Sequence, residues 1–251
     1  MTARTAPCKL LRRLTGCVLP AMLLLNAAAC TPPHPAMPVG GTLQVMGPGP
    51  AFTSAINKGT LPQGWEFSGT IAAGNLSIRQ VERFTALNVM AGTQPFQLVR
   101  RINASLLATP YLNWAWHTQP PRAGAHPVRL LVELTDRNPQ SKRSLWPFSG
   151  SGRADASRII LLGWDATALG RGTIVGPIRA DDYPETARYI ARGGPEQADR
   201  WWVDSVDLSL IHRQVWPGDD PANFDISAIG ISVQAAGTGA AMNLAEIRLT
   251  R

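Results

Sequence analysis

Beyond residue 30 this chain of 251 residues has no cysteine at all; Cys8, Cys17 and Cys30 are the whole complement. A domain built from the remainder can form no disulfide and must be stable through its core alone. An uninterrupted apolar run long enough to cross a hydrocarbon core, about 20 residues, is also missing. The run at residues 18–25 falls well short of it. No glycine-rich phosphate loop follows a strand, and no HExxH or GxSxG stretch occurs; the Ser-Gly-Ser-Gly run at 149–152 has the composition of a loop rather than of a nucleophile elbow. These absences remove the nucleotide-binding classes and leave no catalytic signature.

What is present begins with a targeting signal. Arg4, Lys9, Arg12 and Arg13 form a basic segment without an acid, an apolar stretch follows, and Asn26-Ala27-Ala28-Ala29 leads into Cys30. That three-part layout is a secretory signal covering residues 1–29. Small residues before a cysteine resemble the bacterial lipobox, which makes Cys30 the expected site of lipidation. Ala27 stands where leucine is preferred, so ordinary cleavage after Ala29 is the alternative. Without residues 1–29 the chain keeps 20 basic and 17 acidic residues, a formal charge of +3 rather than +7. The high isoelectric point therefore belongs largely to the signal, and it gives no ground for expecting nucleic acid as a partner. Thr31 follows the cysteine where an inner-membrane retention aspartate is often found, which points to the periplasmic face of the outer membrane.

Pro32, Pro33, Pro35, Pro38, Pro48 and Pro50, with glycines between them, give residues 30–50 the composition of an extended tether. Residues 51–251 then fit one domain. Its dominant period is two: Val128, Leu130, Val132 and Leu134 alternate with Arg129, Leu131, Glu133 and Thr135, and Ile229, Ile231 and Val233 alternate with Gly230, Ser232 and Gln234. Further strands are expected at 76–81, 96–102, 111–117, 158–164, 188–191, 201–206 and 244–249. One helix is expected at 208–216, capped by Asp207 and ended by Pro217-Gly218. So many short strands with so little helix predict an all-β, two-sheet β-sandwich.

The order Leu61-Pro62-x-Gly64-Trp65, then Pro110-Tyr111-Leu112-x-Trp114-x-Trp116, Leu162-Gly163-Trp164, and Trp202 before Val206-Asp207-Leu208 resembles a bacterial family called domain of unknown function 3047, over residues 60–251. The resemblance implies an exported β-sandwich of jelly-roll type, similar in architecture to carbohydrate-binding modules, and no particular activity. Two features depart from it. Gln234-Ala235-Ala236-Gly237-Thr238-Gly239 replaces an acidic turn, and Ile211-His212 replaces an Asp-Tyr pair, so any cation or polar ligand held by those acids is not expected here.

Trp114 and Trp116 share one face of their strand, either as a stacking platform for sugar rings or as core. Trp201 and Trp202 lie on opposite faces, so one of them reaches a rim or groove. Trp164, followed by Asp165 as a hydroxyl acceptor, and Trp202 are the ligand-binding candidates of choice. Lys142, Arg143, Trp146 and Phe148 sit in a long loop, residues 137–157, that could touch a membrane or partner, or fold back on the domain. Asp219, Asp220, Asn223 and Asp225 match no calcium motif, Asp181-Asp182 reads as a turn, and His212 as a surface or helix-end residue. No metal or cofactor is expected. The function expected is non-enzymatic binding of a glycan or other envelope component; the alternatives are an assembly partner without a small ligand and, third, an envelope hydrolase.

Overall fold

The computed structural model describes residues 40–119, 124–137, 157–178, 184–236 and 239–251. All belong to one compact unit, His34–Arg251. In chain order they form β1 (Thr42–Met46), α1 (Pro50–Asn57), β2 (Trp65–Gly69), β3 (Leu76–Val81), β4 (Phe84–Met90), β5 (Phe96–Ser105) and β6 (Tyr111–Thr118). There follow β7 (Val128–Asp136), β8 (Ser157–Asp165), β9 (Ile174–Ile178), β10 (Glu185–Gly193), β11 (Trp201–Asp207), α2 (Leu208–Val215), β12 (Phe224–Val233) and β13 (Ala241–Thr250).

The strands make two sheets, as the alternation predicts. One holds six strands, in the order β11-β6-β13-β4-β3 with β1 on β13, and the other seven, β2-β5-β12-β7-β8-β10-β9. β13 uses one edge twice: Ala241–Leu244 pairs with β4, and Ile247–Thr250 with β1. All pairings are antiparallel except β8 with β10, which run parallel. Among the described residues no helix is long and apolar enough to cross a membrane.

The inner faces meet in a core whose largest members are indoles. Trp114 and Trp116 from β6 stand edge-to-face with their ring centroids 5.4 Å apart, and Trp116 packs in the same way at 5.7 Å on Trp164 from β8. Burying an indole removes about 150–250 Å² from water, worth roughly 4–6 kcal/mol as an upper bound. This chain of rings joins the two sheets.

Three expectations are corrected here. The tether does not run to residue 50: β1 buries Leu43, Val45 and Met46, because these apolar side chains complete the edge of β13. Among the described residues there are two α-helices rather than one; α1 starts at Pro50, where a missing amide hydrogen costs nothing, and it lays Phe52 edge-on to Trp65 at 5.7 Å. His212 is not at the surface. It is fully buried on α2, with ring centroids 4.5 Å from Phe224 and 5.4 Å from Trp216.

Central strand β12 passes so close to β5 that a Cβ on Gly230 would lie 2.1 Å from the Leu98 carbonyl oxygen. Gly230→Ala should therefore destabilise the domain by about 1–3 kcal/mol, read as a fall in urea midpoint. An unchanged midpoint would contradict this register.

Candidate functional site

The outer face of the seven-stranded sheet is where the sequence pattern and the structure diverge in a useful way. Side chains alternate along a strand, so β7 turns Val128, Leu130, Val132 and Leu134 inward and Arg129, Leu131 and Glu133 outward. The outward three are nevertheless buried, at 7%, 1% and 4% exposure. Leu131 joins Val99 of β5, Ala228 of β12 and Ile159 of β8 in a second apolar cluster, separate from the main core, with Leu161 packed against it.

Over this cluster lies a groove of about 490 Å³. Its floor is aliphatic, made by Leu131, Ile159 and Leu161, and its walls carry Ser68, Gln97, Thr186, Ser232 and Gln234. The carboxamide Oε1 of Gln97 is buried without a hydrogen-bond partner. A buried acceptor left unmatched costs about 1–3 kcal/mol, so a donor arriving in the groove would recover that cost.

Further along the same face, two carboxylates converge on one guanidinium. Arg101 donates through Nε to Glu66 at 3.1 Å and through a terminal nitrogen to Glu133 at 2.9 Å. Burial raises the Glu133 pKa, and the neighbouring Arg101 opposes that shift. With the guanidinium between them and the Glu133 side chain only 5% exposed, the two acids are held as an ion triad. The Glu66 side chain, 45% exposed, leaves the outer end of this triad open to solvent.

The expected ligand residues are not gathered in this groove. Trp114, Trp116 and Trp164 are 1%, 0% and 1% exposed, and no sugar ring can lie on them; as binding residues they are corrected to core. Trp202 is half-buried, and one of its faces is covered. The Arg192 guanidinium stands 3.6 Å over the ring, and the indole nitrogen donates to the Gln197 carbonyl at 2.7 Å. Its neighbour Trp201 points to the outer face of the other sheet, packed on Phe84 at 4.7 Å and near His117 at 5.7 Å. Asp165 does reach this face of the seven-stranded sheet, in a small hollow beside the groove, and its Oδ1 accepts from the Ala166 amide at 2.7 Å. Lys142, Arg143, Trp146, Phe148, Asp181, Asp182 and Cys30 lie outside the described residues.

The acids after α2 are engaged by arginine side chains and a backbone amide. Asp219 pairs with Arg158 at 2.8 Å, Asp225 with Arg137, and Asp220 accepts from the Ala222 amide at 3.0 Å. Among the described residues no three metal-ligating side chains form a group. The groove residues Gln97, Thr186 and Ser232, and the arginines Arg129 and Arg188 beside them, were not singled out from the sequence. The available signal was Leu131, an apolar residue in the polar phase of its strand.

No family model matches the chain, and no curated protein matches it. Among solved structures it is similar to the family 11 carbohydrate-binding module from Clostridium thermocellum, at 9% identity and TM-score 0.38, over 84% of this chain and 95% of that one. It is similar also to endoglucanase 3 of family GH12 from Trichoderma harzianum, at 10% identity and TM-score 0.38, over 74% and 96%. A third is a family 30 carbohydrate-binding module of a cellulosomal cellulase of Clostridium thermocellum, at 9% identity and TM-score 0.37, over 83% and 96%. Likeness of this degree carries no inference about ligand or chemistry.

Two buried histidines give the fold a pH dependence. Burial is the main cause that lowers the pKa of both His126 and His212 to about 4, from the usual 6.5. Below about pH 6.5 the unfolded chain takes up protons that the native rings refuse until about pH 4. Stability is therefore complete above that window and is lost as pH falls through it, by about 1.4 kcal/mol per unit for each ring. The raised Glu133 acts in the opposite sense, so the clean measurement is a difference. The urea midpoint of His212→Gln should fall less between pH 7 and pH 5 than that of the parent, and equal falls would mean that His212 is not held neutral.

Proposed function

We propose that the chain is an exported, lipid-anchored envelope protein that binds a glycan without catalysis, in the groove on the outer face of the seven-stranded sheet. The observation that carries this reading is the unmatched Gln97 Oε1 in an aliphatic groove walled by hydroxyl and amide side chains. A saccharide has the matching duality. Its C–H faces pack on aliphatic side chains, while its hydroxyls donate to and accept from Gln97, Ser232 and Thr186. The reading invokes no catalytic step: of the acids on this face, Glu66 and Glu133 are paired with Arg101, and Asp165 accepts from the Ala166 amide. The anchor at Cys30, the location on the periplasmic face of the outer membrane and membership of the family with domain of unknown function 3047 are parts of this proposal that rest on sequence alone.

Two experiments test it. Ser232→Trp places an indole in the groove at a half-buried position. It should abolish saturable binding of envelope polysaccharide, measured by calorimetry, with the melting temperature unchanged; a parent protein that binds no glycan would favour the assembly-partner alternative. In cells, Cys30→Ser should remove acyl labelling and move the protein to the soluble periplasmic fraction. Retention in salt-washed membranes would refute the lipid anchor.

A further inference from the structure

Next to the groove lies a smaller hollow of about 80 Å³, and Leu161 lines both. Two arginines line the hollow, Arg129 from β7 and Arg188 from β10. Arg188 is in register with Leu161, which places it at the junction of the two spaces. The Arg129 stem crosses β8 at Gly163, where a Cβ would lie 3.3 Å from its Cγ, 3.5 Å from Cδ and 3.7 Å from Nε. A larger residue at 163 would push that stem aside.

The charges here do not balance. Arg129 is 7% exposed, and the Arg188 Nε is buried without a partner. Among the described residues no ion pair ties either guanidinium to a carboxylate. The acid lining the hollow is Asp165, and one of its oxygens is already taken by the Ala166 amide. Two cations, one of them buried, therefore face one partly occupied anion, an arrangement that a further negative charge would relieve. The Arg129 pKa is lowered first by burial and then by the Arg188 charge, with Asp165 opposing.

We infer that Arg129 and Arg188 seat an anionic substituent of the saccharide in the groove, so that the ligand is an acidic glycan. The inference rests on the glycan reading of the groove. Planar guanidinium forks match carboxylate and sulfate oxygens in a bidentate way, and either group on a sugar ring lying along Leu161 would enter the hollow. The two sources share this chemistry and differ in the atom that bears the oxygens.

The test uses the full chain and probes of defined charge. By calorimetry, an oligogalacturonate should bind at least about tenfold more tightly than its fully methyl-esterified form, which keeps the sugars and loses the charges. In Arg188→Gln that preference should shrink to within about twofold, with the affinity for the ester unchanged. Arg188 is the variant of choice because it is only half-buried, whereas Arg129→Gln disturbs a buried position. A sulfated carrageenan oligosaccharide preferred over its desulfated form, with the same dependence on Arg188, would assign sulfate instead of carboxylate. Equal affinity of the parent for acid and ester would overturn the anion seat and leave the glycan reading standing. If no saccharide binds, acetate and sulfate at constant ionic strength decide the matter: a rise in melting temperature for the parent and none for Arg188→Gln would uphold the seat and end the glycan reading, and no rise in either would end both.

Discussion

One carboxylate ties the two sheets together. Asp204 of β11, in the six-stranded sheet, is 8% exposed; its Oδ2 accepts from the Trp116 indole nitrogen at 2.8 Å and from Arg192 Nε of β10, in the seven-stranded sheet, at 2.7 Å. The same guanidinium covers the face of Trp202. Removing the carboxylate would leave Arg192 charged and buried without its partner, a loss of about 3–5 kcal/mol and therefore a large fraction of what a domain of this size has to spare. A second cross-sheet tie runs from Arg100 of β5 to the carbonyls of Gln44 and Val45 in β1, at 2.9 and 2.7 Å. With no disulfide available, these ties and the chain of indoles fix how the sheets face each other.

That division of labour decides where function can sit. Trp114, Trp116 and Trp164 are taken up by the core, and one face of Trp202 is covered by Arg192. The outer face of the seven-stranded sheet carries the groove. Its aliphatic floor, unmatched carboxamide and unbalanced arginines have no evident structural purpose among the described residues. The Glu66–Arg101–Glu133 triad on the same face shows the contrast, because there the guanidinium pairs directly with carboxylates.

The sandwich was legible because alternation survives on the inner faces, as at Val128, Leu130, Val132 and Leu134. β4 was not, because its hairpin with β3 turns through Glu82, a non-glycine residue with φ of 53°, and carries none of the glycine, proline or asparagine that marks a turn. β9 was hidden by Gly176-Pro177 inside the strand, and β1 by the prolines around it. The site was illegible for a different reason. Arg129, Gln97 and Ser232 read as solvated positions opposite a buried face, and only the second apolar cluster around Leu131 shows that this face is covered too. His212 was misplaced similarly: a helix of eight residues that buries both Ile211 and His212 has a wider inner face than its polar residues suggest.

The central claim is that ligand meets the seven-stranded sheet and not the six-stranded one. Methyl-resolved NMR of the chain during titration with a bound polysaccharide tests it directly. Shifts should concentrate at Leu131, Ile159 and Leu161 and spare Val203, which is 71% exposed on the opposite sheet. Shifts centred on Val203 and the neighbouring Trp201, with the groove methyls unmoved, would contradict the account.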